Sequence, residues 1–75
     1  MAAFEEIFGI PREHTLKQSD FRCRGGDDYW EHHEYDARGK LIARYESWHR
    51  FKAASGWRKL SLDGTIIAHG EDLPL

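Results

Sequence analysis

The sequence predicts a mainly β fold, α+β at the margin: a small antiparallel meander of about four strands made from two hairpins, with a short helical element at the N-terminus. Three observations carry that prediction. The 75 residues include three Trp, three Tyr and four Phe, and rings favour strands. Two strand-like runs, Tyr29 to Tyr35 and Leu41 to Phe51, flank Asp36-Ala37-Arg38-Gly39, which reads as a type I turn followed by a left-handed glycine. Further on, Leu62-Asp63-Gly64-Thr65 sets Asp-Gly between two more such runs. Asp-Gly is the signal of a type I′ turn, which needs positive φ at both central residues.

A single domain, residues 1–75, is expected, since a chain of this size builds one core at most. Residues 1–28 read as a helical and loop segment, and residues 29–70 as the antiparallel sheet. Phe4, Ile7 and Phe8 recur at i, i+3 and i+4, which places three large apolar groups on one face of a helical turn. Gly9 ends that turn, and Pro11 can open a second short one through Glu13 and Leu16, proline being tolerated at a first helical position. Phe21-Arg22-Cys23 reads as a short edge strand and Gly25-Gly26-Asp27-Asp28 as a loop.

The two hairpins look related. Trp30 stands five residues before Tyr35-Asp36-Ala37-Arg38-Gly39-Lys40-Leu41, and Trp57 five before Leu62-Asp63. Beyond the turns, Leu41-Ile42-Ala43 matches Ile66-Ile67-Ala68. Read this way, the second copy is two residues shorter, all within the turn, and the pattern is a duplicated hairpin. The stretch Tyr35 to Leu41 resembles the hairpin unit of the YD repeats in Rhs-type proteins, over seven of the 75 residues. The resemblance implies a hairpin and no activity. The second copy departs from it, with Leu62 in place of the tyrosine.

If the first hairpin pairs Asp36 with Lys40, alternation groups Tyr29, Glu31, His33 and Tyr35 with Leu41, Ala43, Tyr45 and Ser47 on one face. Trp30, His32 and Glu34 then share the other face with Ile42, Arg44, Glu46 and Trp48. Both faces carry large rings, and the N-terminal stripe covers only one. Trp30, Ile42 and Trp48 are therefore the expected interface, an apolar patch that a protein partner, a second copy in a homodimer above all, would bury.

Charge is unevenly spread. Residues 1–36 carry nine acids and four bases, residues 37–59 carry seven bases and one acid, and residues 60–75 add three acids. The basic block interleaves with rings, so a second reading is single-stranded nucleic-acid binding through Arg44, Tyr45, Arg50, Phe51, Lys52, Trp57, Arg58 and Lys59. The isoelectric point near 6.2 argues against a dedicated nucleic-acid domain.

No catalytic motif is present, and no activity is expected. Five histidines invite a metal reading, but His32 and His33 are adjacent on a strand and point to opposite faces. With one cysteine, Cys23, and no His-x3-His spacing, neither a metal nor a cofactor is expected. The absence of a basic, apolar leader and of an apolar run of about 20 residues points to the cytoplasm, with no membrane partner.

Overall fold

The computed structural model describes residues 3–75; Met1 and Ala2, the start of the segment that carries no basic, apolar leader, lie outside them. A five-residue helix, α1 (Phe4–Phe8), precedes five strands: β1 (Thr15–Arg24), β2 (Asp27–Tyr35), β3 (Leu41–His49), β4 (Gly56–Leu60) and β5 (Ile66–Gly70). They form one antiparallel sheet in the order β1-β2-β3-β4-β5, a meander in which each strand pairs with its sequence neighbours.

The mainly β class is as the sequence predicts, with one strand more. The extra strand is β1, ten residues long and almost wholly exposed. Only Leu16 of its first four positions is apolar, so its hydrophobic pattern is faint, and pairing with β2 over its whole length holds it. A polar edge strand resists pairing with other chains. Thus residues 15–24 and 27–28 are strand where helix and loop are expected, the expected edge strand Phe21-Arg22-Cys23 is the second half of β1, and the expected loop shrinks to Gly25-Gly26. The stretch after Pro11 makes a single turn, closed by His14 N–H on the Pro11 carbonyl (3.0 Å), and Leu16 already belongs to β1. Gly25 and Gly26 both have positive φ, 61° and 87°, so the two-residue type I′ turn of this protein joins β1 to β2.

The α1 stripe forms as the spacing predicts. Gly9, in the left-handed conformation with φ 69°, ends the helix, and the amides of Gly9 and Ile10 return to the carbonyls of Glu6 and Glu5. Its rings seat on one sheet face. Phe8 stacks on Tyr45 with centroids 4.4 Å apart and contacts Trp57 at 5.2 Å; Phe4 meets His32 at 4.3 Å and Trp30 at 5.3 Å. Phe8, Ala43 and Tyr45 form the buried centre, with Ile7, Ile10, Leu16 and Trp57 packed around it.

The two hairpins are duplicates in a closer sense than their sequences suggest. In the first, Asp36 N–H donates to the Lys40 carbonyl and Gly39 N–H to that of Asp36; in the second, Ser61 N–H donates to Thr65 and Gly64 N–H to Ser61. The offset is 25 throughout (36 to 61, 39 to 64, 40 to 65), so neither turn is shorter. Only the glycines, Gly39 and Gly64, take positive φ. Both turns are thus the type I turn with left-handed glycine, and the type I′ assignment at Asp63-Gly64 is corrected. A matching irregularity follows each turn: the register passes from Tyr35↔Leu41 to Glu34↔Ala43, skipping Ile42, and from Leu60↔Ile66 to Lys59↔Ala68, skipping Ile67. At this offset Leu60 stands where Tyr35 does, and Trp57 matches His32 rather than Trp30.

Candidate interaction surface

The bulge at Ile42 decides which side chains share a face. Trp30 lies opposite Ser47, His32 opposite Tyr45 and Glu34 opposite Ala43, so these six residues line the face under α1. The uncovered face takes Tyr29, Glu31 and His33 with Arg44, Glu46 and Trp48. The expected patch of Trp30, Ile42 and Trp48 is therefore not one patch. Trp30 is held between Phe4 and Phe21 on the covered face, Trp48 lies on the uncovered face, and Ile42 is the residue that the pairing skips.

The proposed nucleic-acid contacts also divide. Tyr45 is 1 % exposed and stacked under Phe8, so no base reaches it. Trp57 and Lys59 share its face, Lys59 with its ammonium 5.7 Å from the Tyr45 ring. Phe51, 66 % exposed, and Lys52 stand in the β3–β4 loop with Arg50. Only Arg44 and Arg58 lie on strands of the uncovered face.

Residues of the uncovered face fall into rows that run across the strands. One row is basic: Lys17, His33 and Arg44, each opposite the next. The neighbouring row is acidic, Asp20, Glu31 and Glu46, and continues into Arg58 on β4. Like charges directly opposite one another destabilise a sheet. Each acid has a partner: Asp20 pairs with Arg22 Nε at 3.3 Å and Glu46 with Arg58 Nε at 2.6 Å, while Glu31 is hydrogen-bonded to His33 Nε2 at 3.1 Å. The third row is Arg22, Tyr29, Trp48 and Gly56. Here the Trp48 ring lies over Gly56, whose missing Cβ leaves it room.

The acidic row and Arg22, Tyr29 and Trp48 of the third row line a groove of about 550 Å³, bounded also by Arg24, Arg50 and Arg58 and reaching Trp30 and Ser47 between them. The Arg50 guanidinium carbon sits 5.9 Å from the Tyr29 ring centroid and that of Arg58 5.8 Å from Trp48, both cation–π contacts. Among the described residues, neither Arg24 nor Arg50 has a carboxylate within ion-pair distance. Sequence reasoning missed Arg22, Arg24 and Tyr29 as site residues because they lie outside the basic block. Only the pairing of β1 and β2 with β3 brings them to it.

Beneath α1 lies a second polar group. Glu34, 2 % exposed, accepts from His14 Nδ1–H at 2.5 Å and from the Tyr45 hydroxyl at 2.7 Å, with Lys59 Nζ 3.8 Å away. Burial works to raise its pKa, but the His14 and Tyr45 hydrogen bonds and the Lys59 charge prevail and hold it below the usual value. Tyr45 is pushed up by burial and by the Glu34 charge. His32, also buried, is lowered chiefly by desolvation. These groups are locked by packing and face no groove, an arrangement suited to positioning α1 and the Pro11–His14 turn against the sheet.

Among the described residues no three His, Cys, Asp or Glu side chains come together as a metal site would require, and no helix is long and apolar enough to cross a membrane. No known protein family, curated protein or solved structure matches the chain.

Proposed function

We propose that this chain is a non-catalytic recognition module of the cytoplasm, and that the uncovered face of its sheet is the recognition surface. One observation supports this above the others. That face sets three acids in a row across three strands, beside a basic row and an aromatic row, an arrangement that does nothing for the core. Local rules of this kind are broken mostly where function demands it. Glu34 and Tyr45, whose pKa values are shifted, are engaged with each other and with His14 beneath α1, away from that face. The test is a photo-crosslinking residue placed at Tyr29 or Tyr35 in cells that make the protein, compared with one at Ser19. Discrete adducts from Tyr29 and none from Ser19 are expected; equal labelling at both overturns the assignment.

Self-association is a second reading, and its surface moves. Leu62, Ile66 and Ile67, 52 %, 52 % and 54 % exposed, gather on the β4–β5 hairpin, whose last strand is a sheet edge. A second copy pairing there would cover them. Light scattering across a concentration series checks it: a mass doubling that Ile67→Lys abolishes is the expected result, and a constant single-chain mass at hundreds of micromolar removes it.

A further inference from the structure

We infer that the groove at the Tyr29–Trp48 end of the uncovered face binds single-stranded nucleic acid, two successive bases lying on the two rings and their phosphates against Arg24 and Arg50. This rests on the reading of that face as the recognition surface and gives it an occupant.

The argument begins with the rings. Tyr29 and Trp48 are directly opposite one another on neighbouring strands, and both are half-buried, so each is fixed by its surroundings while part of it meets solvent. Neighbouring rings on a sheet surface stack bases of an unpaired strand, and cost little in ordering when they are already held. Each ring already carries a guanidinium, Arg50 on Tyr29 and Arg58 on Trp48. A guanidinium plane stacks a base as a ring does, and that of Arg50, free of a carboxylate, also keeps its charge beside the phosphate.

The charges then choose an anion over a cation or a neutral surface. Four arginines, Arg22, Arg24, Arg50 and Arg58, line the groove against three acids, Asp20, Glu31 and Glu46. Every one of those acids has a partner. Arg22 and Arg58 are spent in the same pairs, and Arg24 and Arg50 remain to meet phosphate. The acidic row borders the site on one side and repels phosphate there, so the strand is confined to the aromatic row. A duplex is excluded by the same geometry, since its bases are stacked on each other and cannot lie on the rings.

This surface differs from the one that the basic block of the sequence suggests. Tyr45 and Trp57 drop out because α1 covers them, and Arg22, Arg24 and Tyr29 enter from β1 and β2.

The experiment uses the whole chain and a fluorescent ten-nucleotide oligo-U, read by anisotropy at low salt, with a ten-base-pair duplex as comparison. Binding to the single strand, at least tenfold weaker binding to the duplex, and displacement of the Trp48 indole N–H signal in a ¹H–¹⁵N spectrum are expected. The affinity falls with salt, by a slope of about 0.7 in log–log form for each phosphate met. Arg24→Gln and Arg50→Gln each remove about one such increment, and Trp48→Ala weakens binding by about tenfold. Arg24 is exposed at a strand end, so its variant keeps the test alive should Trp48→Ala not fold. No anisotropy change at tens of micromolar protein overturns the inference, as does binding that these variants leave unaltered. If the oligonucleotide fails while Tyr29 still crosslinks in cells to a nuclease-resistant, protease-sensitive adduct, the recognition face stands and its occupant is a protein.

Discussion

Glu34 and Ser47 are buried on the same face, 2 % and 1 % exposed, but their polar atoms are treated differently. Glu34 has His14, Tyr45 and Lys59 around it. Ser47 Oγ has no hydrogen-bond partner, and neither does Nδ1 of His32. A buried hydroxyl without a partner loses its hydration and gains nothing for it, at a cost of about 1–3 kcal/mol. Ser47→Ala is therefore expected to raise stability by about 1 kcal/mol, read as a higher urea midpoint at unchanged slope. Glu34 and His32 also set the response to pH. The carboxyl of Glu34 lies below its ordinary 4.5 in the folded chain, so its contribution is present above that value and is lost as pH falls through the folded one. His32 is lowered from 6.5; below that pH the unfolded chain takes a proton that the folded chain refuses, and stability falls again. Both act in one direction, so melting temperature is expected to decline from pH 7 to pH 4. Glu34→Gln should flatten the lower part of the curve and His32→Phe the part just below pH 6.5; two curves parallel to wild type would show that these groups do not govern acid stability.

At the scale of the element, the two β-turns carry the same backbone with different side chains. Asp36 accepts from the amides of Arg38 and Lys40 at 2.9 and 3.0 Å. In the second turn Ser61 takes the place of Asp36, and Asp63, two residues later, accepts from Thr65 N–H and from the Ser61 hydroxyl. Those two partners hold the Asp63 carboxyl down to about 2. The left-handed glycines have φ 81° and 90°, with open space where a Cβ would stand. Gly39→Ala and Gly64→Ala are then expected to cost the same, about 1–2 kcal/mol each, because only backbone strain is added. Urea titrations that separate the two by more than 1 kcal/mol would break the equivalence of the hairpins. The sequence made these hairpins legible and hid their geometry. Asp-Gly fits both a two-residue type I′ turn and the end of a type I turn, and only the strand register tells them apart. Alternation within each strand was readable, with Trp30, His32 and Glu34 on one side and Ala43, Tyr45 and Ser47 on one side. Their pairing across strands was displaced by one residue at Ile42, because an apolar bulge residue looks like any other strand residue. That displacement exchanged the faces and scattered the expected patch, while the polar first half of β1 hid how far the edge strand at Phe21-Arg22-Cys23 extends.

On the scale of the whole molecule, one five-residue helix is the cover of a five-stranded sheet. The fully buried side chains are few, and Phe8 ties two of them, Tyr45 and His32, to the half-buried rings of Trp57 and Phe4. A domain of this length has roughly 4–11 kcal/mol of stability in all, at about 0.05–0.15 kcal/mol per residue. Phe8→Ala removes a core ring, which costs about 3–5 kcal/mol, a loss comparable to the lower end of that range. A helix this short has no stability of its own, so α1 cannot stay in place while its anchor is missing. The sheet in turn cannot keep Tyr45 and Trp57 exposed to water. Lid and sheet are thus expected to unfold in one transition, and Phe8→Ala to lower its midpoint by tens of degrees, at roughly 4–8 °C for each kcal/mol in a domain this small. Phe21→Ala, at a ring 46 % exposed on the edge strand, should shift it by only a few degrees. Far-ultraviolet circular dichroism follows the sheet, and near-ultraviolet dichroism follows the packed rings. Coincident melting curves in both, for wild type and for each variant, are the expected outcome; a ring signal lost well before the sheet signal would mean that α1 peels away as a separate unit and that the sheet is held together by its hairpins alone.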